Sequence, residues 1–220
     1  MEVQNLLIFC MELAGTIAFA ASGAMVGIHC GMDIFGVCVL GVVTAVGGGM
    51  TRDIMIGNVP GALTEPVYVM AAVVTALLVF AILYYRKNAL QGRFGLVYNG
   101  IMLVMDSVGL GIFTVMGVMT GINEGYMENT FLLTVLGTLT GVGGGLLRDM
   151  MAGQPPYIFV KHVYACASVV GAVSCVWIYR IFGQLPAMIT ASLLIIVIRF
   201  LAAHYRWNLP RIRMGNERSE

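Results

Sequence analysis

The chain has 220 residues, of which 59% are hydrophobic and 10% are charged, whereas soluble domains carry roughly 25% charged residues. Its apolar runs are too long and too numerous for a soluble core, so the composition predicts a protein that crosses a membrane several times. The formal net charge of +1 gives no basis for nucleic-acid binding through bulk charge.

Seven apolar segments follow one another, and each is close to the roughly 20 residues that a helix needs to span a bilayer. They cover residues 5–28, 33–56, 66–86, 94–119, 129–152, 158–182 and 185–205. Turn-forming residues mark most of the breaks, and no soluble domain fits between the segments. We therefore expect an all-α integral membrane fold with a single transmembrane domain over residues 1–205, followed by a short polar tail over residues 206–220.

Lysine and arginine predict the orientation of the segments. If the N-terminus is outside, eight basic residues of the loops and the tail are cytoplasmic, and only Arg180 is outside. The eight are Arg86, Lys87, Arg93, Lys161, Arg206, Arg211, Arg213 and Arg218. The positive-inside rule then places the C-terminus and the tail in the cytoplasm. Arg199 lies within the seventh segment, and we expect its long side chain to snorkel to the cytoplasmic end.

Two short segments are near-copies of each other. Gly47 to Asp53 reads GGGMTRD, and Gly143 to Asp149 reads GGGLLRD, so the shared positions are 96 residues apart (143 − 47). A weaker match in the first segment of each half pairs Ser22-Gly23 with Ser107 to Gly109. The repetition predicts that the chain consists of two related halves.

Each half would contain three segments, and because three is odd, the second half is inverted relative to the first. Inverted repeats with interrupted helices at matching positions are typical of membrane transporters and channels. The seventh segment has no counterpart. The expected bounds are about 5–86 for the first repeat, about 94–182 for the second and about 185–205 for the seventh helix.

The glycine triplets are Gly47, Gly48 and Gly49 in the first half and Gly143, Gly144 and Gly145 in the second. Each glycine costs a helix interior about 1 kcal/mol relative to alanine, so three in a row favour a kink or a locally unwound stretch. Carbonyls freed in this way can line a pathway and coordinate a cation. The alternative is close helix packing, which small residues allow. We favour the pathway, with packing as a partial contribution, because both triplets precede an Arg-Asp pair.

Charged residues inside the apolar segments are the second candidate feature, because an unpaired charge at membrane depth costs on the order of 3 kcal/mol. They are Arg52 and Asp53, Arg148 and Asp149, and the acids Glu12 and Asp106. We expect each arginine to point into the bundle and each aspartate of a motif to cap a neighbouring helix or pair across the repeat. Neighbours on a helix point about 100° apart, so the Arg and Asp of one motif need not pair with each other.

Two interpretations of these charges stay open. The Arg-Asp pairs either lock the two halves together or line a pathway, where a positive side chain can act as a gate. Glu12 and Asp106 are the natural partners of Arg52 and Arg148, in a pairing that the sequence does not specify, and structural and pathway roles weigh equally for them. The five cysteines include no CxxC pair and the three histidines are far apart, so we expect no cofactor and no tightly bound metal. No catalytic motif occurs, and we do not expect an enzyme.

These residues resemble the bacterial branch of the trimeric intracellular cation (TRIC) channel family, a branch that also bears the names of an uncharacterised inner-membrane family and of glycine transporters. The resemblance covers about residues 5–205. It rests on both glycine motifs and on Phe19 to Gly23, Asp106 to Gly111 with Phe113, and Gly153 with Pro155.

The resemblance implies a homotrimer in the bacterial inner membrane, surrounded by lipids, with one pore in each protomer beside bent second and fifth helices. It implies permeation by potassium, with sodium also passing, glycine triplets that serve as hinges, and Arg52 and Arg148 beside the pore. The main alternative is a secondary transporter for a small amino acid such as glycine. A scaffold protein without flux is a weaker alternative, because both motifs carry buried charge.

Overall fold

The computed structural model describes residues 2–86, 94–160 and 163–207, and within these ranges all regular structure is helical. The helices are α1 (Glu2–His29), α2 (Ile34–Met55), α3 (Gly61–Thr64), α4 (Pro66–Tyr85), α5 (Phe94–Asn123), α6 (Thr130–Met151), α7 (Tyr157–Val160), α8 (Tyr164–Phe182) and α9 (Gln184–His204). Seven of them are long and apolar enough to cross a membrane. This confirms the predicted class, an all-α membrane protein with seven spans.

Helices α2 and α6 begin and end with the same local chemistry. The carboxylate of Asp33 accepts a hydrogen bond from Gly36 N at 2.7 Å, and the side chain of Asn129 accepts one from Leu132 N at 3.0 Å. Such N-caps satisfy one of the amide groups that a helix leaves unpaired at its start. Shortly after each helix ends, the chain turns through a glycine with positive φ, at Gly57 and Gly153. Equivalent signals therefore give α2 and α6 the same length of 22 residues.

Two short helices differ from the predicted segments. The sixth segment, predicted over 158–182, is divided into α7 and α8, and α3 occupies the corresponding place in the first half. Pro60 is the N-cap of α3, and Pro156 directly precedes α7. Proline suits the start of a helix, because it has no amide hydrogen to leave unpaired there. Each motif helix is thus followed by a turn and a short helix before the next span.

The same interlocking contact joins the first two spans of each half. A Cβ on Gly23 would lie 2.9 Å from Gly41 Cα, and one on Gly117 would lie 2.8 Å from Gly137 Cα. Gly23 therefore corresponds to Gly117, an offset of 94 residues (117 − 23), whereas Gly41 and Gly137 are offset by 96. The predicted match of Ser22-Gly23 with Ser107 to Gly109 is wrong, because two extra residues between α5 and α6 change the offset.

Helices α2 and α6 cross at backbone distance. A Cβ on Gly48 would lie 2.2 Å from the carbonyl oxygen of Thr140, and one on Gly144 would lie 2.1 Å from that of Thr44. Residue numbers rise along one helix as they fall along the other, so the pair is antiparallel. The carboxyl ends of α2 and α6 therefore point to opposite ends of the bundle, in agreement with the predicted inversion.

Helix α9 lies outside this two-fold arrangement and packs on the second half. A Cβ on Gly111 of α5 would lie 2.8 Å from Ser192 O, and one on Gly171 of α8 would lie 2.1 Å from Ile195 Cγ1. The predicted tail lies outside the described residues except for Arg206 and Trp207. So do six of the eight basic residues that predict the orientation: Lys87, Arg93, Lys161, Arg211, Arg213 and Arg218.

Candidate functional site

The glycine triplets lie within unbroken helices. Helix α2 runs from Ile34 to Met55 and α6 from Thr130 to Met151, so of the two expected distortions the unwound stretch is wrong, and the kink stays a prediction. The physical reason is the crossing itself, because Gly48 and Gly144 remove the side chains that would separate two backbones. The close-packing alternative accounts for these two residues, and the role of the triplets as hinges of a pore stays a prediction.

The remaining glycines of the triplets divide into two kinds. Gly47 and Gly143 belong to the crossing, since their added Cβ atoms would meet Leu147 Cδ1 at 2.6 Å and Gly48 Cα at 3.1 Å. Gly49 and Gly145 instead border the charged residues, and a Cβ on Gly145 would lie 2.9 Å from the Tyr164 hydroxyl. The last glycine of each triplet thus leaves room for a polar cluster.

Each half of the chain assembles a cluster from the same parts. An acid comes from the first span of the half, an Arg-Asp pair from the second and a tyrosine from the third. The first cluster is Glu12, Arg52, Asp53 and Tyr68, and the second cluster is Asp106, Arg148, Asp149 and Tyr164. The acids are 94 residues apart (106 − 12), as are Gly23 and Gly117, and the other pairs are 96 apart. Glu12 and Asp106 are therefore equivalent positions.

The aspartates of the two motifs make identical connections. One oxygen of Asp53 accepts from Arg52 Nε at 2.8 Å and the other from Gly61 N at 3.0 Å. Asp149 accepts from Arg148 Nε at 2.8 Å and from Tyr157 N at 2.8 Å. Each aspartate therefore binds its neighbouring arginine and also the short helix that follows. Of the two predicted alternatives, the structure shows the link to a neighbouring helix rather than a pair across the repeat.

The second cluster is a buried ion-pair network. Arg148 is 0% exposed, and its Nη1 lies 2.8 Å from Asp106 Oδ1 and also donates to Ser22 Oγ. The Tyr164 hydroxyl donates to the same Asp106 oxygen at 3.3 Å. Of the pairings that the sequence left open, the structure therefore forms the one between Asp106 and Arg148. Two carboxylates surround this arginine, which compensates much of the cost of burying its charge.

Helix α9 adds a second cation to this network. Arg199 Nη2 lies 3.7 Å from Asp106 Oδ2, and the Arg199 guanidinium carbon lies 4.7 Å from the centre of the Tyr164 ring. Arg199 is 5% exposed, so the expectation that it snorkels to the membrane surface is wrong. A buried carboxylate and an aromatic face attract it inward instead.

Tyr157, the first residue of α7, covers the second cluster. Its ring centre lies 5.2 Å from the guanidinium carbon of Arg148. Burial raises the pKa of the Tyr157 hydroxyl, although Arg148 opposes the shift. The residue is therefore a neutral phenol at physiological pH, and its ring meets Arg148 in a cation–π contact.

The first cluster contains the same residue types in a looser arrangement. Arg52 Nη2 lies 2.7 Å from Asp53 Oδ1, and the Arg52 side chain is 15% exposed. Glu12 accepts a hydrogen bond from the Tyr68 hydroxyl, and no ion pair within 4.0 Å joins Glu12 to any residue in the described ranges. Glu12 therefore forms neither of the pairings that the sequence left open, because Arg52 binds its neighbour Asp53 and Arg148 binds Asp106 and Asp149.

A cavity of about 200 Å³ adjoins the first cluster. Gly61 of α3 and Glu65 before α4, both exposed, are part of its lining. Its polar lining is Glu12, Thr16, Arg52, Asp53, Glu65 and Tyr68, and its apolar lining includes Ala45, Val46, Phe113 and Met116. Three carboxylates thus face one guanidinium, and within the described residues no group of three or more His, Cys, Asp and Glu side chains could hold a metal ion.

The two clusters lie at different depths in the bundle. Helix α1 contributes Glu12 to the first and contacts the second through Ser22, which are about 15 Å apart at 1.5 Å per residue. Sequence reasoning missed Tyr68, Tyr164, Tyr157 and the inward direction of Arg199. Tyr68 and Tyr164 share the 96-residue offset of the motifs. This offset, followed past the motif helices, was the signal that could have found them.

Comparisons with known proteins agree with this two-fold organisation. A family model described as glycine transporter matches the chain twice, over residues 9–84 and 103–180. The starts of the two matches are 94 residues apart (103 − 9) and their ends 96 (180 − 84), which are the offsets that the structure gives for the first spans and for the remainder.

Relatives of known sequence match almost the whole chain. A UPF0126 membrane protein of Deinococcus radiodurans is 34% identical over 208 residues, which cover 93% of this chain and 91% of the relative. The UPF0126 inner membrane protein YadS of Escherichia coli is 33% identical over 207 residues, covering 93% of this chain and 94% of the relative.

Solved structures of TRIC channels have the same fold. A prokaryotic TRIC channel crystallised in 0.5 M KCl superposes with a TM-score of 0.83 at 28% identity, over 93% of this chain and 100% of that one. The trimeric intracellular cation channel orthologue of Rhodobacter sphaeroides has a TM-score of 0.79 at 28% identity, over 91% of this chain and 99% of that one. The resemblance stated from the sequence is confirmed. The chain therefore belongs to the UPF0126 family of membrane proteins, matches the glycine transporter family model, and has the fold of the prokaryotic TRIC channels.

Proposed function

We propose that this protein is a cation channel of the bacterial inner membrane that lets potassium pass, with sodium also permeant. The channel is a homotrimer with one pore in each protomer, its N-terminus outside and its C-terminus cytoplasmic. The observation that carries the proposal is the acid-lined cavity beside the first cluster. The fold, shared with proteins named as cation channels, supports it.

The charges around the cavity favour cations. Glu12, Asp53 and Glu65 face it, and Arg52 is the single basic residue in its lining. A cavity wall with an excess of one sign of charge raises the local concentration of counter-ions. Glu12 lies within span α1, where a charged side chain without an ion-pair partner is a functional residue by default.

We place the remainder of the pathway along the crossing of α2 with α6. The apolar lining of the cavity includes Phe113, Met116 and the α2 residues Ala45 and Val46, and α2 also crosses α6. On the far side of that crossing lies the second cluster. A cation that enters at the first cluster therefore leaves past the second, and in the proposed orientation this direction runs from outside to inside.

Substitution of Glu12 tests the proposal. A unit charge about 4 Å from a cation is worth about 1 kcal/mol in water, or about fivefold in local concentration. Glu12→Gln should therefore reduce potassium conductance in proteoliposomes by up to about that factor. Glu124→Gln is the matched control, because Glu124 is exposed, bonds Asn58 and lies outside the cavity. Wild-type protein without potassium conductance would overturn the proposal.

A transporter for a small zwitterion is the second candidate. Two observations favour it. The cavity is lined by Arg52 together with carboxylates, which suits the carboxylate and the ammonium group of an amino acid. The cavity also adjoins the first cluster and not the equivalent second one. Labelled glycine distinguishes the two functions. Saturable glycine uptake without passive potassium conductance would replace the channel by a transporter, and conductance without such uptake would support the channel.

A further inference from the structure

Tyr157 and Arg199 contact the second cluster, and the first cluster has no counterpart of either. The position equivalent to Tyr157 is Gly61, 96 residues earlier (157 − 61), and Gly61 lines the cavity. Arg199 comes from α9, which has no counterpart in the first half. The remaining residues of the two clusters correspond one to one, so these two additions are the main differences in composition between them.

Tyr157 places a side chain in the second half at the position where Gly61 leaves open space in the first. Both residues begin a short helix, and the amide of each donates to the aspartate of the preceding motif, at 2.8 Å for Tyr157 and 3.0 Å for Gly61. The backbone is thus placed alike in both halves, and the side chain makes the difference. The ring of Tyr157 lies over Arg148, whereas an added Cβ on Gly61 would meet only Asp53 Oδ2 at 3.9 Å.

Arg199 changes the charge of the second cluster. Asp106 has Arg148 at 2.8 Å and Arg199 at 3.7 Å, so two guanidinium groups oppose Asp106 and Asp149. At the equivalent position, Glu12 has a tyrosine hydroxyl as its hydrogen-bond partner. The second cluster therefore has no excess of negative charge that would attract a cation.

We propose that Tyr157 and Arg199 form the barrier to permeation in the second half, Tyr157 as the steric plug and Arg199 as the electrostatic one. This inference rests on the proposed channel function, because a barrier matters only if cations pass. The position of the two side chains can nevertheless be tested without measuring flux. The first half is open because it carries glycine at the plug position and receives no cation from a seventh helix.

Accessibility to a water-soluble thiol reagent tests the plug directly. Ser22 contacts Arg148 in the second cluster, and its equivalent Met116, 94 residues on, lines the open cavity. In a background without the five native cysteines, we expect a positively charged methanethiosulfonate to modify Met116→Cys rapidly and Ser22→Cys slowly. Adding Tyr157→Gly should make Ser22→Cys reactive. Rapid modification of Ser22→Cys while Tyr157 is present would overturn the plug.

The reciprocal exchange keeps the test valid if Tyr157→Gly fails to fold. Gly61 is exposed, has no positive φ and has open space around it, so Gly61→Tyr is sterically allowed. We expect this variant to protect Met116→Cys from the reagent and to lower potassium conductance. Unchanged reactivity of Met116→Cys in the folded Gly61→Tyr protein would contradict the proposal.

Conductance tests the electrostatic part. Arg199→Met keeps most of the side-chain volume and leaves Asp106 its closer partner, Arg148. Removing one unit charge near the path should raise potassium conductance at least about fivefold, while Arg180→Met, an exposed arginine of α8, leaves it unchanged. If wild type conducts and Arg199→Met conducts equally, the electrostatic barrier is wrong. If neither conducts but the labelling pattern holds, the proposed function fails and the plug stands.

Discussion

The first and second clusters show what an inverted repeat preserves and what it allows to change. Both contain an acid, an Arg-Asp pair and a tyrosine, and in both the aspartate holds a short helix. In the second half, however, Arg148 is 0% exposed and bridges two carboxylates. In the first half, Arg52 is 15% exposed and Glu12 lies on a cavity. Equivalent residues therefore form a buried ion-pair network in one half and line a cavity in the other.

The difference teaches that the shared motif does not determine whether a half is open. The connections of Asp53 and Asp149 are the same within 0.2 Å, at 3.0 Å and 2.8 Å to the short helix. What differs lies outside the motif, on the short helix and on α9. Substitutions of shared contacts should therefore act equally in both halves, and substitutions within the clusters should act unequally.

The largest effect is expected at the helix crossing, where the two halves should respond alike. Gly48→Ala and Gly144→Ala each place a Cβ about 2 Å from a carbonyl oxygen of the other helix. Overpacking costs about 1–3 kcal/mol where side chains can adjust, and here a backbone would have to move. We expect the yield of monodisperse protein in size-exclusion chromatography to fall to a small fraction for both variants. Gly100→Ala, with no atom within 4 Å of the added Cβ, is the control, and equal yields for all three would contradict the crossing.

An intermediate effect should separate the two clusters. Removing one partner of a buried ion pair costs about 3–5 kcal/mol, so Arg148→Met should lower the unfolding temperature by roughly 10 °C, at about 2–4 °C per kcal/mol. Arg52→Met should lower it by less than half as much, because Asp53 adjoins the cavity and water can replace the lost contact. Thermal unfolding of the purified protein measures both. Equal shifts would mean that the second cluster is not the more tightly held one.

The smallest effect should come from the last glycine of each triplet, with opposite signs. In Gly145→Ala the new Cβ meets the Tyr164 hydroxyl at 2.9 Å, so the tyrosine must shift, whereas in Gly49→Ala the nearest atom, Arg52 Nη2, is 3.8 Å away. Alanine is favoured over glycine in a helix by about 1 kcal/mol. We expect Gly49→Ala to raise the unfolding temperature slightly and Gly145→Ala to lower it. A rise in both would show that the space beside Gly145 adapts.

The sequence predicts the membrane class, the seven spans and the inversion well, because the length of the apolar segments and the repetition of the motif after 96 residues can be read directly from the residues. It also indicates Glu12 and Asp106 as partners of Arg52 and Arg148, without specifying which acid pairs with which arginine. The equivalence of Glu12 with Asp106 was not visible, because two extra residues between α5 and α6 shift the first spans to an offset of 94. Helix propensity misled the prediction at the triplets, since a tight crossing compensates what glycine costs a helix.

Arg199 shows a further limit of sequence reasoning. Position along a helix gives the depth of a side chain but not its partner, and a long side chain near a helix end is expected to reach the surface. The attraction of Asp106 and the Tyr164 ring depends on how α9 packs against α5 and α8. That packing is tertiary information, which a single segment does not contain.

Helix α9 also bears on how such a protein acquires a direction. Six helices in two inverted units have the architecture of two identical subunits inserted in opposite orientations, in which the two faces are the same by symmetry and no transmembrane polarity exists. A seventh helix carries the two termini to opposite sides of the bilayer and places Arg199 beside Asp106 of the second unit. One added span thus converts a symmetric pair into a molecule whose two membrane faces differ.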